Sequence, residues 1–409
     1  MVKILIGGPS PSATNNRGDE AVFSNFCQGM RKHFPDCQIT AMVRHPSERF
    51  DRLFGVKSIR NFDHDNRRQS LGRWFYGFNP GDSTEHLKNI REAVEEADII
   101  VIGGSPFEEI SPNSFLRGEG AYAALLATLA IMFQKPFAVY AMQQCPIKSE
   151  FTANMARFVC NNARIVTVRE EYSRTQLLEV GVQSPHLYVL ADPAFGVEPC
   201  QSLERGQEIL KREEIPVDQA PFVGVNFRHL YWIWDEQIFE KRITKMASLC
   251  DFIISEWNRS VLFIPNQCYR VDTPIQDDRW VAEKIWQKLK YPERAFLIRR
   301  EYTLPDTLAI YPYLEFMISN RRHACIFAAI HTVPAVALCD GNDWNFLPFL
   351  QQMSLQDHLL DFSSDLTQIQ NQFETLYSLK KRTIKILQEK VPKLKSKAHK
   401  HTELIADIL

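Results

Sequence analysis

The sequence predicts an α/β protein of two lobes, each a Rossmann-like, doubly wound parallel sheet, and three observations lead there. Aliphatic runs alternate with amphipathic stretches of ten to fifteen residues, the rhythm of right-handed β-α-β crossovers. That rhythm stops at a polar segment, Cys200 to Pro221, and then restarts. The 409 residues are enough for two ordinary domains.

The first half opens on VKILIGG, a short aliphatic run that reads as a buried strand. A helix at Asp19–Phe34 and a strand at QITAMV follow. From about Ser47 to Gly81 no period holds, and the segment reads as a surface insertion. STEHLKNIREAVEEA is helical, and ADIIVIGG is a strand whose unbroken aliphatic run means that both its faces are covered. A helix at Gly118–Phe133, PFAVYAM, a helix at Glu150–Asn162, ARIVTV, a helix at Glu170–Val180 and HLYVLAD complete the lobe. The second lobe begins with PFVGVNF and continues through SVLFIP, RAFLI, LEFMIS and VPAVALC, with helices between them. The expected division is residues 1–200, 201–365 and a C-terminal helical tract at 366–409. Within that tract, KKRTIKILQEKVPKLKSKAHK reads either as a solvated helix or as a weak peripheral contact with a membrane surface.

Composition narrows the function classes. A net charge of −1 gives no field that would draw the chain onto nucleic acid. The nine cysteines are scattered, with no C-x-x-C pair, and no His/Cys/Asp cluster has the spacing of a metal site, so reduced thiols and no metal are expected. The first apolar run is too short for a secretion signal, and no window approaches the roughly 18 apolar residues of a membrane span. A cytoplasmic protein is expected. Nothing in the sequence specifies an oligomeric state.

Ligands of open parallel sheets bind at the carboxyl ends of strands, so the residues there carry the functional reading. The loop after the first strand, GGPSPSATNNRGDEA, leads small and polar residues into a helix start and suits an anion or a sugar hydroxyl; it is neither GxGxxG nor a P-loop. Asp19 there is a helix cap, a base or a hydroxyl-orienting group. The turn SPFEE follows the strand ADIIVIGG in the same way. Arg169, directly after ARIVTV, reads as a carboxylate or phosphate grip, or as a salt-bridge partner of Glu170 or Glu171. Arg321 and Arg322 fall in the first turn of a helix, where two cations oppose the macrodipole, and His323 behind them is a proton carrier near neutral pH. His331 reads as structural. Arg228, Tyr231, Trp232 and Trp234 follow PFVGVNF, where the aromatic faces either stack on a pyranose ring or, for one or two of the three, belong to the core.

The motifs N-x-G-D-x-A (Asn16, Gly18, Asp19, Ala21), I-G-G (Ile102 to Gly104), V-R-E-x-x-S (Val168 to Ser173), L-x-D-P (Leu190 to Pro193) and S-x-R-x-H-A…P-x-V-A-L (Ser319 to Leu338) occur in that order. Together they resemble the polysaccharide pyruvyl transferase family, collinearly from residue 3 to about residue 345. The resemblance implies a glycosyltransferase-B-like pair of lobes. It also implies transfer of a pyruvyl group from phosphoenolpyruvate, a co-substrate with no other cofactor, onto two hydroxyls of a sugar to form a ketal. Arg321, His323 and Arg169 then correspond to the donor-binding and acid positions, and the acceptor is a glycan or a lipid-linked or nucleotide-linked sugar. Two departures stand out. Arg322 replaces the aliphatic residue between Arg and His, and CDGNDWNF stands where the family places a lysine. The rival readings are a nucleotide-sugar glycosyltransferase of the same fold and a non-catalytic carbohydrate-binding relative.

Overall fold

A computed structural model of the chain describes residues 1–7, 16–62, 85–107, 119–200, 202–268, 274–341 and 343–409. By contacts the chain forms two compact bodies. The first takes Asp19–Gly196 with the start of the chain and Lys395–Leu409; the second takes Val197–Leu394 together with residues 16–18. The tract at 366–409, expected as a unit of its own, is a helix at Leu366–Ser378 and a helix at Lys380–Ala406, divided between the two bodies after Leu394.

In the first body seven parallel strands run in the order β3-β2-β1-β4-β5-β6-β7: β1 Lys3–Gly7, β2 Gln38–Val43, β3 Lys57–Arg60, β4 Ile99–Gly103, β5 Phe137–Met142, β6 Ile165–Val168 and β7 Leu187–Val189. The aliphatic run of β4 is buried at every position, as its sequence requires. Ile100 and Ile102 enter a core with Leu126, Ala127 and Val159, while Ile99 and Val101 enter a second core with Phe23, Phe26 and Met30. Two helical layers therefore cover the sheet.

The segment read as an insertion from residue 47 is ordered structure at its start. Ser47 caps a helix at Glu48–Phe54 by accepting from the Phe50 N–H, Gly55 ends it at φ 65°, and β3 joins the sheet edge beside β2. Only Ile59 of β3 is buried, and a four-residue edge strand with one buried side chain carries no periodic signal. Residues 63–84 lie outside the described residues.

The second body repeats the plan with six parallel strands in the order β10-β9-β8-β11-β12-β13: β8 Phe222–Asn226, β9 Val261–Phe263, β10 Ala295–Leu297, β11 Leu314–Ser319, β12 Ala335–Cys339 and β13 Leu359–Asp361. Each sheet reverses its order of growth once, between β1 and β4 in the first and between β8 and β11 in the second. A reversal leaves a crevice at the carboxyl ends of the two strands. No helix among the described residues is long and apolar enough to cross a membrane.

Candidate functional site

At the reversal in the second body, Asn226 ends β8 and Ser319 ends β11, in register with each other. Ser319 Oγ donates to Asn226 Oδ1 at 3.1 Å and accepts from the Arg321 N–H at 2.8 Å. One residue on, Asn320 exchanges hydrogen bonds with the Arg228 backbone: Oδ1 accepts from the Arg228 N–H at 2.7 Å and Nδ2 donates to its carbonyl at 2.9 Å. Small amides and a hydroxyl thus tie together the two loops that leave the sheet here. The helix begins one residue later than its pattern implied. It runs Arg322–Ile330, and Arg321 holds the N-cap position without capping by its side chain.

Arg321 is buried and ion-paired. Its Nε and Nη2 both donate to Oδ1 of Asp278, at 3.0 and 2.6 Å, and both side chains lie almost wholly out of solvent. Asp278 Oδ2 accepts three further hydrogen bonds, from Asn226 Nδ2 at 3.0 Å, the Asn266 N–H at 2.9 Å and the Gln267 N–H at 3.0 Å. Among the described residues Arg321 Nη1 makes no hydrogen bond, so both of its N–H groups, with the second N–H of Nη2, are donors to spare. Arg322 is also buried, its guanidinium 5.2 Å from the centre of the Phe349 ring.

Residues 16–18 close this site from the other end of the sequence. Asn16 bridges to Gln267 in antiparallel fashion, and the Arg17 N–H donates to the Asn266 carbonyl at 2.9 Å. Asn16 Oδ1 accepts from the Gly18 N–H at 3.0 Å, and Arg17 Nη2 lies 3.5 Å from Glu301 Oε1. Gly18 then packs on the imidazole of His323 so closely that a Cβ added there would stand 2.1 Å from Nδ1. Only glycine fits at that approach. Four of the residues singled out from sequence, Asn16, Gly18, Arg321 and His323, are therefore one cluster. Asp19, the next residue, is partly exposed in the first turn of the helix Arg17–His33.

Arg169 belongs to the first body, at the carboxyl end of β6. Two hydrogen bonds hold its side chain inside that body. Nη1 donates to Asp192 Oδ2 at 2.9 Å and Nε donates to the Ala141 carbonyl at 2.7 Å, with the side chain buried. Glu170, the next residue, accepts from Ser173 Oγ at 2.7 Å. Below this pair His401 is fully buried; Nε2 donates to the Ala191 carbonyl at 2.7 Å and Nδ1 faces Thr167 Oγ1 at 2.8 Å. Burial pulls its pKa down to about 4.

The aromatic segment divides. Trp234, expected to face a sugar, is a core residue: it is buried, stacks on Phe227 at 5.8 Å, and donates from Nε1 to Asp340 Oδ2 at 2.7 Å. Its indole N–H needs a partner once the ring is buried, and Asp340, held also by Arg242, supplies one. Trp232 and Tyr231 are exposed, and the Arg228 guanidinium lies 4.6 Å from the centre of the Trp232 ring. The loop of residues 8–15 and the end of SPFEE fall outside the described residues. His331 is structural, as read: its Nδ1 donates to the Phe327 carbonyl at 2.7 Å and its Nε2 accepts from the Cys200 N–H at 3.1 Å. The pattern reading passed over Asp278 and Asn226. Asp277 caps the helix that begins at Asp278, and nothing in the spacing marks Asp278 as the acceptor for Arg321.

Compared with known proteins, the sequence model of the family described as polysaccharide pyruvyl transferase matches residues 16–338. A curated relative, the amylovoran biosynthesis protein AmsJ of Erwinia amylovora, is 20% identical over 390 residues, covering 89% of each chain. The fold is similar to that of a putative UDP-N-acetylglucosamine 2-epimerase from Listeria monocytogenes, with TM-score 0.62 and 13% identity over 100% of this chain and 95% of that one. It is likewise similar to HepE of Anabaena solved with UDP and glucose, with TM-score 0.61 and 13% identity over 100% and 99%. The two parallel-sheet bodies are thus of the glycosyltransferase-B-like kind.

Proposed function

This chain belongs to the polysaccharide pyruvyl transferase family, and from that premise we propose that it moves the pyruvyl group of phosphoenolpyruvate onto two hydroxyls of a sugar in a polysaccharide or its precursor. The observation that carries the reading is the meeting of Gly18 with His323 beside Arg321, at the reversal point of a parallel sheet. An anion-binding group and a proton carrier stand two residues apart there, where such sheets take their ligands.

In the proposed reaction Nη1 of Arg321 donates to an oxygen of the donor, and Arg322 adds positive charge close by. His323 protonates the enol methylene carbon, and C2 becomes electrophilic. A sugar hydroxyl bonds to C2, the C2–O bond to phosphate breaks, and a second hydroxyl closes the ketal. Of the two protons that the hydroxyls release, one restores His323 and the other leaves with phosphate. Asp19, next to Gly18 in the chain, relays the second of these protons from the hydroxyl to the departing phosphate and ends the cycle as it began. General acid–base help of this kind contributes about 10²- to 10⁴-fold. Arg169, bonded to Asp192 and to the Ala141 carbonyl, supports the loops at the carboxyl end of β6. Trp232 and Arg228 provide a stacking face for the acceptor. No step uses a metal, and a donor drawn from central metabolism puts the reaction in the cytoplasm.

The test is a thermal-shift and calorimetric comparison of phosphoenolpyruvate with UDP-glucose. Saturable binding of phosphoenolpyruvate that His323→Gln preserves and Arg321→Gln weakens supports the reading. Binding of UDP-glucose alone would replace it with a nucleotide-sugar transferase, and binding of neither with a carbohydrate-binding relative.

A further inference from the structure

Asp278 lies outside every motif that singled out the site, yet it touches both halves of it. One carboxylate oxygen receives two hydrogen bonds from the Arg321 guanidinium, at 3.0 and 2.6 Å. The other receives the backbone N–H groups of Asn266 and Gln267, at 2.9 and 3.0 Å, and Asn226 Nδ2 at 3.0 Å. Asn266 and Gln267 are in turn the residues onto which Arg17 and Asn16 dock, through the 2.9 Å bond from the Arg17 N–H and the antiparallel bridge. That docking sets Gly18 against the imidazole of His323. The side chain is 2% exposed and fixed at the first position of the helix Asp278–Trp286.

We propose that Asp278 is the positioning residue of the site, orienting Arg321 directly and His323 through Asn266, Gln267 and the segment 16–18. A guanidinium alone can rotate about its long stem; side-on pairing of Nε and Nη2 to one oxygen leaves Nη1 in a single direction. The same carboxylate fixes the loop that decides how closely Gly18 approaches the ring. A carboxylate is suited to this because it only accepts, and all five groups around it only donate. Asparagine would turn one oxygen into an NH₂ facing backbone N–H groups. The inference rests on the proposed function for its donor, but the geometry it concerns does not.

The test uses the full chain with two readouts: phosphoenolpyruvate affinity by calorimetry, and the His323 imidazole signals in ¹⁵N-histidine-labelled protein, assigned by their loss in His323→Gln. Asp278→Asn should weaken phosphoenolpyruvate binding about ten- to a hundredfold, the effect of losing a charge-assisted contact. It should also shift the His323 signals in protein without ligand. Gly18→Ala should shift the same signals. If Asp278→Asn does not fold, Asp278→Asn with Arg321→Gln removes the charge imbalance; the pair should bind phosphoenolpyruvate no more weakly than Arg321→Gln alone and still show displaced His323 signals. A folded Asp278→Asn or double variant with unmoved His323 signals overturns the proposal, as does wild-type donor affinity in the single variant. Wild-type protein that ignores phosphoenolpyruvate would sink the proposed donor, while the imidazole signals would still decide the role of Asp278.

Discussion

Arg169 Nη1 lies 2.9 Å from Asp192 Oδ2, with side-chain exposures of 5% and 0%, so the arginine that follows β6 is paired inside its own body. Removing one partner of such a pair leaves a buried charge without compensation, which costs about 3–5 kcal/mol. Arg169→Met should therefore lower stability by that order, seen as a lower midpoint in urea unfolding. Arg169→Met combined with Asp192→Leu should recover much of the loss. Full wild-type stability in Arg169→Met would mean that the pair contributes nothing, and that the guanidinium is available for a ligand.

Trp234 and Trp232, two residues apart, should respond in opposite ways. Truncating a buried Trp costs about 3–5 kcal/mol, and Trp234→Ala also takes a donor from Asp340. Trp232→Ala, at an exposed site, should change stability by less than about 0.5 kcal/mol. If Trp232 stacks on the acceptor, its loss should raise the acceptor KM with donor affinity unchanged. Equal unfolding midpoints for the two variants would contradict this assignment.

These residues also mark how far pattern reading reaches. The alternation of aliphatic runs and helices gave both sheets, because a parallel strand must be apolar along its whole length and its crossover helix must show an apolar stripe. The Arg321–His323 motif was legible because cations at a helix start oppose the dipole. Asp278 was not: its role is set by which strand ends the topology brings together, and sequence spacing does not carry that. Trp234 was misplaced for a related reason. Residues 231–234 form a turn, in which the Ile233 and Trp234 N–H groups both donate to the Leu230 carbonyl, and a turn sends neighbouring side chains in directions that no strand or helix period forecasts.

Acid should destabilise the chain through its buried neutral histidines. Burial lowers both His331 and His401 to about 4. In the unfolded chain each titrates near its ordinary value of about 6.5. Their folded pKa values are depressed, so the neutral forms support the fold fully above about pH 6.5. As pH falls from there towards about 4 the unfolded chain takes up the protons, and each residue contributes a loss of up to about 1.4 kcal/mol per pH unit. Urea midpoints measured at pH 7 and pH 5 should differ less in His401→Gln and His331→Gln than in the wild type. Carboxylates titrate in all three proteins, so the difference between variants isolates the histidines. An identical pH slope in all three would show that these two residues are not the acid-sensitive groups.

The last helix supplies a further test, because its basic sequence reads as a surface feature while its end is core. Ala398, His401 and Ile405 are fully buried in the first body, and Ile405 joins the cluster of Phe23, Phe26 and Met30. Gly29 leaves room for Thr402: a Cβ at Gly29 would stand 2.2 Å from Thr402 Oγ1. Oγ1 donates to the His399 carbonyl at 3.0 Å and Thr402 is 1% exposed, so the hydroxyl has little space to retreat. Gly29→Ala should destabilise by about 1–3 kcal/mol, the cost of overpacking, even though alanine favours a helix interior over glycine by about 1 kcal/mol. Thr402→Ala alone should cost less, and in the Gly29→Ala background it should recover part of the loss, because it removes Oγ1 and Cγ2 from the path of the new methyl group while the Cβ of residue 402, 2.8 Å away, stays. The double-variant cycle by urea unfolding measures this coupling directly. If the two substitutions simply add, Gly29 and Thr402 are not in contact, and the end of the helix does not pack as the structure has it.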